Sequence, residues 1–208
     1  MIRIVDYGLG NVQAFINMYK RMNIPALPAR EAAELNDAEK IILPGVGAFD
    51  HAIELLDASG MRGPLEKRVL QDSVPLLGVC VGMQMLAQNS EEGKLAGLGW
   101  VPGVVRAFRS VHNAVDLPLP HMGWNDVVPS SGSPLFRGLE EDARFYFLHS
   151  YFFHCDSESQ TAATASYGLN FSCAVRAGNV FGAQFHPEKS HHYGAILLKN
   201  FAELETPA

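Results

Sequence analysis

The residues whose types and spacing could do the most chemistry are Gly78-Val79-Cys80-Val81-Gly82, which follow the apolar Pro75-Leu76-Leu77 and lead into Met83-Gln84. A cysteine between two glycines, where a strand-like run gives way to a helical one, fits a tight bend. Its side chain then stands clear, and small neighbours let the backbone pass close by. A thiolate there would be favoured by the unpaired N–H groups that open the following helix. The competing reading is a small cysteine buried in a core strand before an ordinary glycine turn.

A thiolate that forms an acyl intermediate also needs a base, and the base needs a group to orient it. Phe181-Gly-Ala-Gln-Phe-His-Pro-Glu-Lys189 offers both at the end of a strand-like run. Pro187 biases His186 toward an extended conformation, in which residues two apart share a side, so Glu188 would sit beside His186. Taken alone, the same residues also read as a surface His-Pro-Glu turn. Pro44-Gly-Val-Gly47 follows another apolar run, Lys40 to Leu43. Its two glycines would let backbone N–H groups turn toward a developing oxyanion, and the N–H of Val81 is a second candidate donor. A structural turn is the alternative.

These segments need a scaffold that brings strand ends to one edge. Ile2 to Val5 reads as a buried strand, Asn11 as the cap of a helix running to about Met22, and Ala26 to Pro28 as a short strand. Lys40 to Leu43 and Pro75 to Gly78 are further strands. Helices are expected from Phe49 to Leu56 and from Gly82 to Gln88. Apolar strands alternating with helices imply a mostly parallel sheet covered on both faces. The second half changes character, with short strands at Val101 to Phe108, Asn125 to Val128, Arg144 to Leu148, Thr161 to Ser166, Ser172 to Arg176 and Val180 to Gln184. The last two flank Ala177-Gly-Asn179, a hairpin turn, and a helix from about Tyr193 to Leu204 closes the chain. The expected fold class is therefore α/β: one domain over residues 1–208, with a central mixed, mostly parallel sheet flanked by helices and an antiparallel extension.

At 208 residues, 48% of them hydrophobic, the chain has the apolar material for a packed core, which excludes disorder and coiled coil. A net charge of −6 gives no general attraction for nucleic acid or anionic lipid. Asp6 interrupts the N-terminal apolar run too early for a secretion signal, and no uncharged apolar stretch is long enough for a membrane span. Cys80, Cys155 and Cys173 are too few and too far apart for a disulfide framework, so the expectation is a reduced, cytoplasmic protein. His149, His186, His191 and His192 lack a cysteine or carboxylate at zinc spacing, and His112 and His121 lack ligand spacing, so neither a metal nor a cofactor is expected.

Together, Gly78-Val-Cys-Val-Gly-Met-Gln84 and Gln184-Phe-His-Pro-Glu-Lys-Ser190 resemble the class I, Cys-His-Glu type, glutamine amidotransferases. Asp6-Tyr-Gly-Leu-Gly-Asn11, Pro44-Gly-Val-Gly-Ala-Phe49, His121-Met-Gly-Trp-Asn125 and Phe145-Tyr-Phe-Leu-His-Ser-Tyr151 are similar to stretches of the HisH family, the glutaminase subunits of imidazole glycerol phosphate synthase.

The resemblance implies that Cys80 attacks the side-chain amide of glutamine, with His186 as base and acid and Glu188 orienting it. It implies oxyanion donors at Val46 and Val81. It also implies a glutamine site that includes Gly47, Gly82, Gln84, His149, Ser150 and Tyr151. Ammonia would pass to a HisF-type β/α-barrel cyclase in a heterodimer, with Lys189 at the interface, and the glutaminase would stay nearly silent until that partner holds its nucleotide. A related family implication is a HisH-like subunit that feeds a surface-sugar amidination synthase. The Gly-x-Cys-x-Gly pattern alone would also suit a thiol peptidase or esterase, and a non-catalytic interaction subunit is the remaining alternative. The pair His191-His192 departs from the pattern, which leaves the interface details open.

Overall fold

The computed structural model describes residues 1–111 and 117–205, so His112 lies outside the described residues. The first half alternates β1 (Ile2–Val5), α1 (Val12–Arg21), β2 (Ala26–Ala29), β3 (Lys40–Gly45), α2 (Phe49–Ala58), α3 (Arg62–Glu66) and β4 (Leu76–Cys80), which runs into α4 (Val81–Gln84). Asn11 caps α1 as expected, its side chain accepting from the Ala14 N–H at 3.1 Å. β3 and β4 are buried at every position, because a parallel strand covered by helices on both faces has no solvent side.

The second half consists of β5 (Asn89–Ser90), β6 (Gly103–Ala107), β7 (His121–Pro129), β8 (Arg144–His149), β9 (Tyr151–Cys155), β10 (Thr161–Ser166), β11 (Asn170–Ala177), β12 (Val180–Ala183) and the closing helix α5 (His191–Ala202). The main sheet runs β2-β1-β3-β4-β12-β11-β10-β7-β8. It is parallel from β2 to β12 and antiparallel from β12 to β8. The result is a single α/β domain with a mixed sheet and an antiparallel extension.

Register decides where the site forms. β4 lies between β3 and β12, with Cys80 beside Gly45 and Val79 beside Ala183. The three strands thus end at one level, and the chain after each of them crosses the same carboxyl edge of the sheet. β7 and β8 pair His121 with His149 and Met122 with Leu148, so the antiparallel extension brings a second wall to that edge.

Two elements differ from expectation. The helix expected from Gly82 to Gln88 is the single turn α4, after which Met85 to Ala87 close by short turn bonds. The Gln88 N–H then donates to the Gly103 carbonyl at 3.0 Å, because pairing with β6 draws the chain into β5. Beyond the strand expected from Arg144 to Leu148, Tyr151–Cys155 forms a strand that was not expected. Ser150 separates β8 from β9, which pairs with β6 and β11.

Candidate active site

Cys80 adopts φ 55° and ψ −115°, a left-handed backbone that a residue with a Cβ enters only under strain. Close packing enforces it. A Cβ on Gly78 would lie 2.6 Å from the Gly82 carbonyl oxygen, and one on Gly82 would overlap the Leu43 carbonyl oxygen of β3. The bend can press against β3 only because both positions are glycine. Because α4 is a single turn, it carries little of the dipole expected of a longer helix, and the electrostatics at Cys80 rest on side chains instead.

The foremost of those side chains is His186. Its backbone is extended (φ −102°, ψ 93°) and its N–H donates to the Tyr146 carbonyl at 2.9 Å. Ser190, fully buried, donates from Oγ to the His186 carbonyl at 2.6 Å and accepts the Tyr146 N–H at 3.0 Å, clamping β8 to this segment. His186 Nδ1 donates to Glu188 Oε1 at 2.8 Å, and the ring lines the same cavity as Cys80. Contrary to expectation, the His186–Glu188 contact is not made along an extended strand. Pro187–Lys189 form a 3-10 turn, closed by the Lys189 N–H on the His186 carbonyl at 3.0 Å, and the turn folds Glu188 back under the ring.

His186 is 3% exposed, and burial disfavours its charged form. Nearby Cys80 and hydrogen-bonded Glu188 outweigh that penalty and lift its pKa to about 9. Cys80 is 4% exposed; its thiol donates toward the Leu148 carbonyl at 3.8 Å, and Gln184 Nε2 donates toward Sγ at 3.9 Å.

These groups open onto a cavity of about 260 Å³. Of the residues singled out from the sequence, Val46, Gly47, Cys80, Val81, Gln84, His149, Ser150, Tyr151, His186 and Lys189 line it. Glu188 stands behind His186, and Gly82 lies beneath the bend against β3. Val46 and Gly47 form the exposed loop between β3 and α2, and the carbonyl of Pro44 just before them is held by the Tyr7 hydroxyl at 2.8 Å. Among the described residues, no group of three His, Cys, Asp or Glu side chains is placed to hold a metal ion.

The glutamine amidotransferase class I family model matches residues 4–204. The chain belongs to the class I glutamine amidotransferases. As a member of that family it is a glutaminase. This amidotransferase is 63% identical to the imidazole glycerol phosphate synthase subunit HisH of Bdellovibrio bacteriovorus, over 98% of this chain and 100% of that protein. It is 48% identical to the HisH subunit of Leptospira interrogans over the same shares. Solved structures show the same fold at low identity. The PurLQS structure from Thermotoga maritima has a TM-score of 0.71 at 18% identity and covers 96% of each chain. A crystal structure of a glutamine amidotransferase has a TM-score of 0.70 at 22% identity, covering 95% of this chain and 98% of the other.

Three residues of this amidotransferase's site were not assigned to it from the sequence. Glu92 lines the cavity and accepts the Phe49 N–H at the start of α2 at 3.0 Å, and burial pushes its carboxyl pKa up. Gln184 joins Gln84, whose Nε2 donates to Gln184 Oε1 at 3.0 Å and to the Tyr151 carbonyl at 3.3 Å. His121 approaches from β7 behind His149. Glu92 sits in a turn and had no motif around it. Gln184 stood in plain view next to His186, two residues away, but its partner is a hundred positions earlier.

Proposed function

We propose that this chain is the glutaminase subunit of imidazole glycerol phosphate synthase, one amidotransferase domain over its whole length, working in the cytoplasm with a HisF-type β/α-barrel cyclase. The observation that carries the reading is the Cys80–His186–Glu188 array at the floor of the cavity, in a chain 63% identical to a HisH subunit.

In the proposed reaction Cys80 Sγ, its proton shared with His186, attacks the carboxamide carbon of glutamine. His186 then protonates the leaving nitrogen, ammonia departs, and a glutamyl thioester remains. Water, giving its proton to His186, releases glutamate and restores the thiol. Glu188 holds the ring through Nδ1, so that Nε2 faces the sulfur, and stabilises the imidazolium of each transition state. Backbone N–H groups of Val46 and Val81 are assigned to the oxyanion. Gly47, Gly82, Gln84, His149, Ser150 and Tyr151 are assigned to the glutamine site, with Glu92 facing the substrate's ammonium. The steps require no cofactor.

Ammonia has to leave without meeting bulk water, so the cavity mouth has to be covered. Exposed Leu148 and Lys189 line the cavity, exposed Met122 lies directly opposite Leu148 on β7, and exposed Trp124 follows two residues along that strand. We assign this face to the barrel subunit. The test is glutamate release from glutamine by the chain mixed with the HisF-type subunit, with and without its ribulosyl nucleotide. The expected result is strong stimulation by the nucleotide, lost in Cys80→Ala while synthesis from ammonium salts persists. A folded chain whose Cys80 alkylates but which shows no stimulation would overturn the assignment to this synthase.

A further inference from the structure

The Tyr151 carbonyl oxygen is the meeting point of two hydrogen-bond chains. On one side Gln84 donates to it, and through Gln84 and Gln184 the chain reaches Cys80 Sγ. On the other side it accepts from His149 Nδ1 at 2.7 Å. A carbonyl only accepts, so His149 carries its proton on Nδ1 and presents a lone pair at Nε2. His121 Nδ1, 2.9 Å from that nitrogen, must therefore be the donor. His121 Nε2 is then an acceptor, and Asn125 Nδ2 donates to it at 3.2 Å while also donating to the Ser166 carbonyl at 2.9 Å. Every proton in this chain has one possible place.

The two rings are held by more than hydrogen bonds. His121 is 3% exposed and stacks on Phe147 (centroids 4.8 Å apart) and on Tyr167 (4.1 Å), and His149 packs against Phe108 and Phe171. Of the two, only His149 reaches the cavity. Between His149 and the carbonyl it holds runs Ser150, the single residue between β8 and β9, whose own carbonyl accepts the Phe108 N–H at 3.2 Å.

We propose that His121 is a positioning residue for glutamine binding. Its N–H fixes the His149 ring, which in turn fixes the Ser150–Tyr151 stretch of the cavity wall. The inference deepens the glutaminase reading and rests on it for the ligand. Asn125, four residues along β7, completes the chain at the end away from Cys80.

The test compares two variants. His121→Phe keeps the stacking and deletes the donor, whereas His121→Asn places an amide N–H near the lost Nδ1. In the presence of the barrel subunit and its nucleotide, His121→Phe should raise KM for glutamine about tenfold, the effect of leaving a buried acceptor unpaired, with kcat within about twofold. Alkylation of Cys80 should be unchanged, and His121→Asn should restore most of the loss in KM. An unchanged KM in His121→Phe, or an equal rise in both variants, overturns the proposal, because a purely structural role would lower the folded fraction and hence apparent kcat. If His121→Phe does not fold, nitrogen NMR of the unaltered chain decides: both rings should be neutral Nδ1–H tautomers at pH 7, and any other form overturns it. If the unaltered chain releases no glutamate with its partner, the glutaminase reading has failed, and the NMR result still reports separately on the chain of hydrogen bonds.

Discussion

Two buried imidazoles face one cavity from opposite banks, and their environments drive them apart. His186, on the elbow bank, is lifted to about 9, whereas His149, on the wall bank, is lowered to about 3. Burial disfavours the charged form of both and is the largest influence on each. His186 overcomes it because two acidic groups, Cys80 and Glu188, lie close to it, Glu188 accepting from its Nδ1. His149 does not, because its partners are a carbonyl, which favours the charge, and the ring of His121, which opposes it, as does the more distant His186. A polar partner satisfies a buried histidine; only an anionic one charges it. The elbow bank is thus built to move protons, and the wall bank to keep them still.

The largest effect should come from removing that difference. Glu188→Gln gives His186 a neutral partner like those of His149, and glutamate release should fall on the order of 10³- to 10⁴-fold, as when an orienting carboxylate is lost from a catalytic array. NMR titration should show the His186 pKa falling, and a variant within tenfold of the unaltered enzyme would refute the comparison. Next in size is Gly82→Ala, whose new Cβ overlaps the Leu43 carbonyl. It should destabilise the fold by about 1–3 kcal/mol, measured by urea unfolding, and distort the elbow bank while leaving the tautomers of the wall bank intact.

Stability against pH separates the two banks by sign. His186 has a folded pKa above the unfolded value of 6.5, so its contribution is present below 6.5 and is lost as pH rises through about 9. His121 and His149, lowered to about 4 and about 3, do the opposite: as pH falls below 6.5 the unfolded chain takes up protons that the fold refuses, and stability drops. Thermal unfolding should therefore lose part of its alkaline slope in His186→Ala and part of its acid slope in His121→Asn, where His149 still contributes; unchanged slopes would contradict the assigned causes. The smallest expected effect is at Lys189, whose Nζ lies 5.9 Å from the Tyr146 ring centre. Lys189→Ala should weaken activation by the partner about two- to fivefold with Cys80 alkylation unchanged, and equal losses in the two assays would remove it from the interface.

The elbow bank was legible in the sequence because each of its parts is local: Cys80 between two glycines, and His186 two residues from Glu188. The parallel half of the fold was legible for a similar reason, since strands buried on both faces are continuous apolar runs. The wall bank was not. His121 and His149 are 28 residues apart and meet only through the register of β7 on β8, which no short-range pattern encodes. β9 was hidden because Phe145 to Cys155 is rich in aromatics throughout, and one serine marks the break. The helix expected beyond Gln84 failed because pairing of Asn89 and Ser90 with β6 outweighed helical periodicity.

The positive φ of Cys80 has a consequence beyond chemistry. The nucleophile occupies the one place in the elbow where the chain is held against its own backbone preference, so replacement by glycine there relieves strain instead of creating it. A chain that loses its sulfur to glycine should stay folded and keep the face proposed for its partner. In a cell carrying both forms, such a subunit would compete for the proposed cyclase partner and starve it of nitrogen, so the defect would be inherited as interference rather than as simple absence.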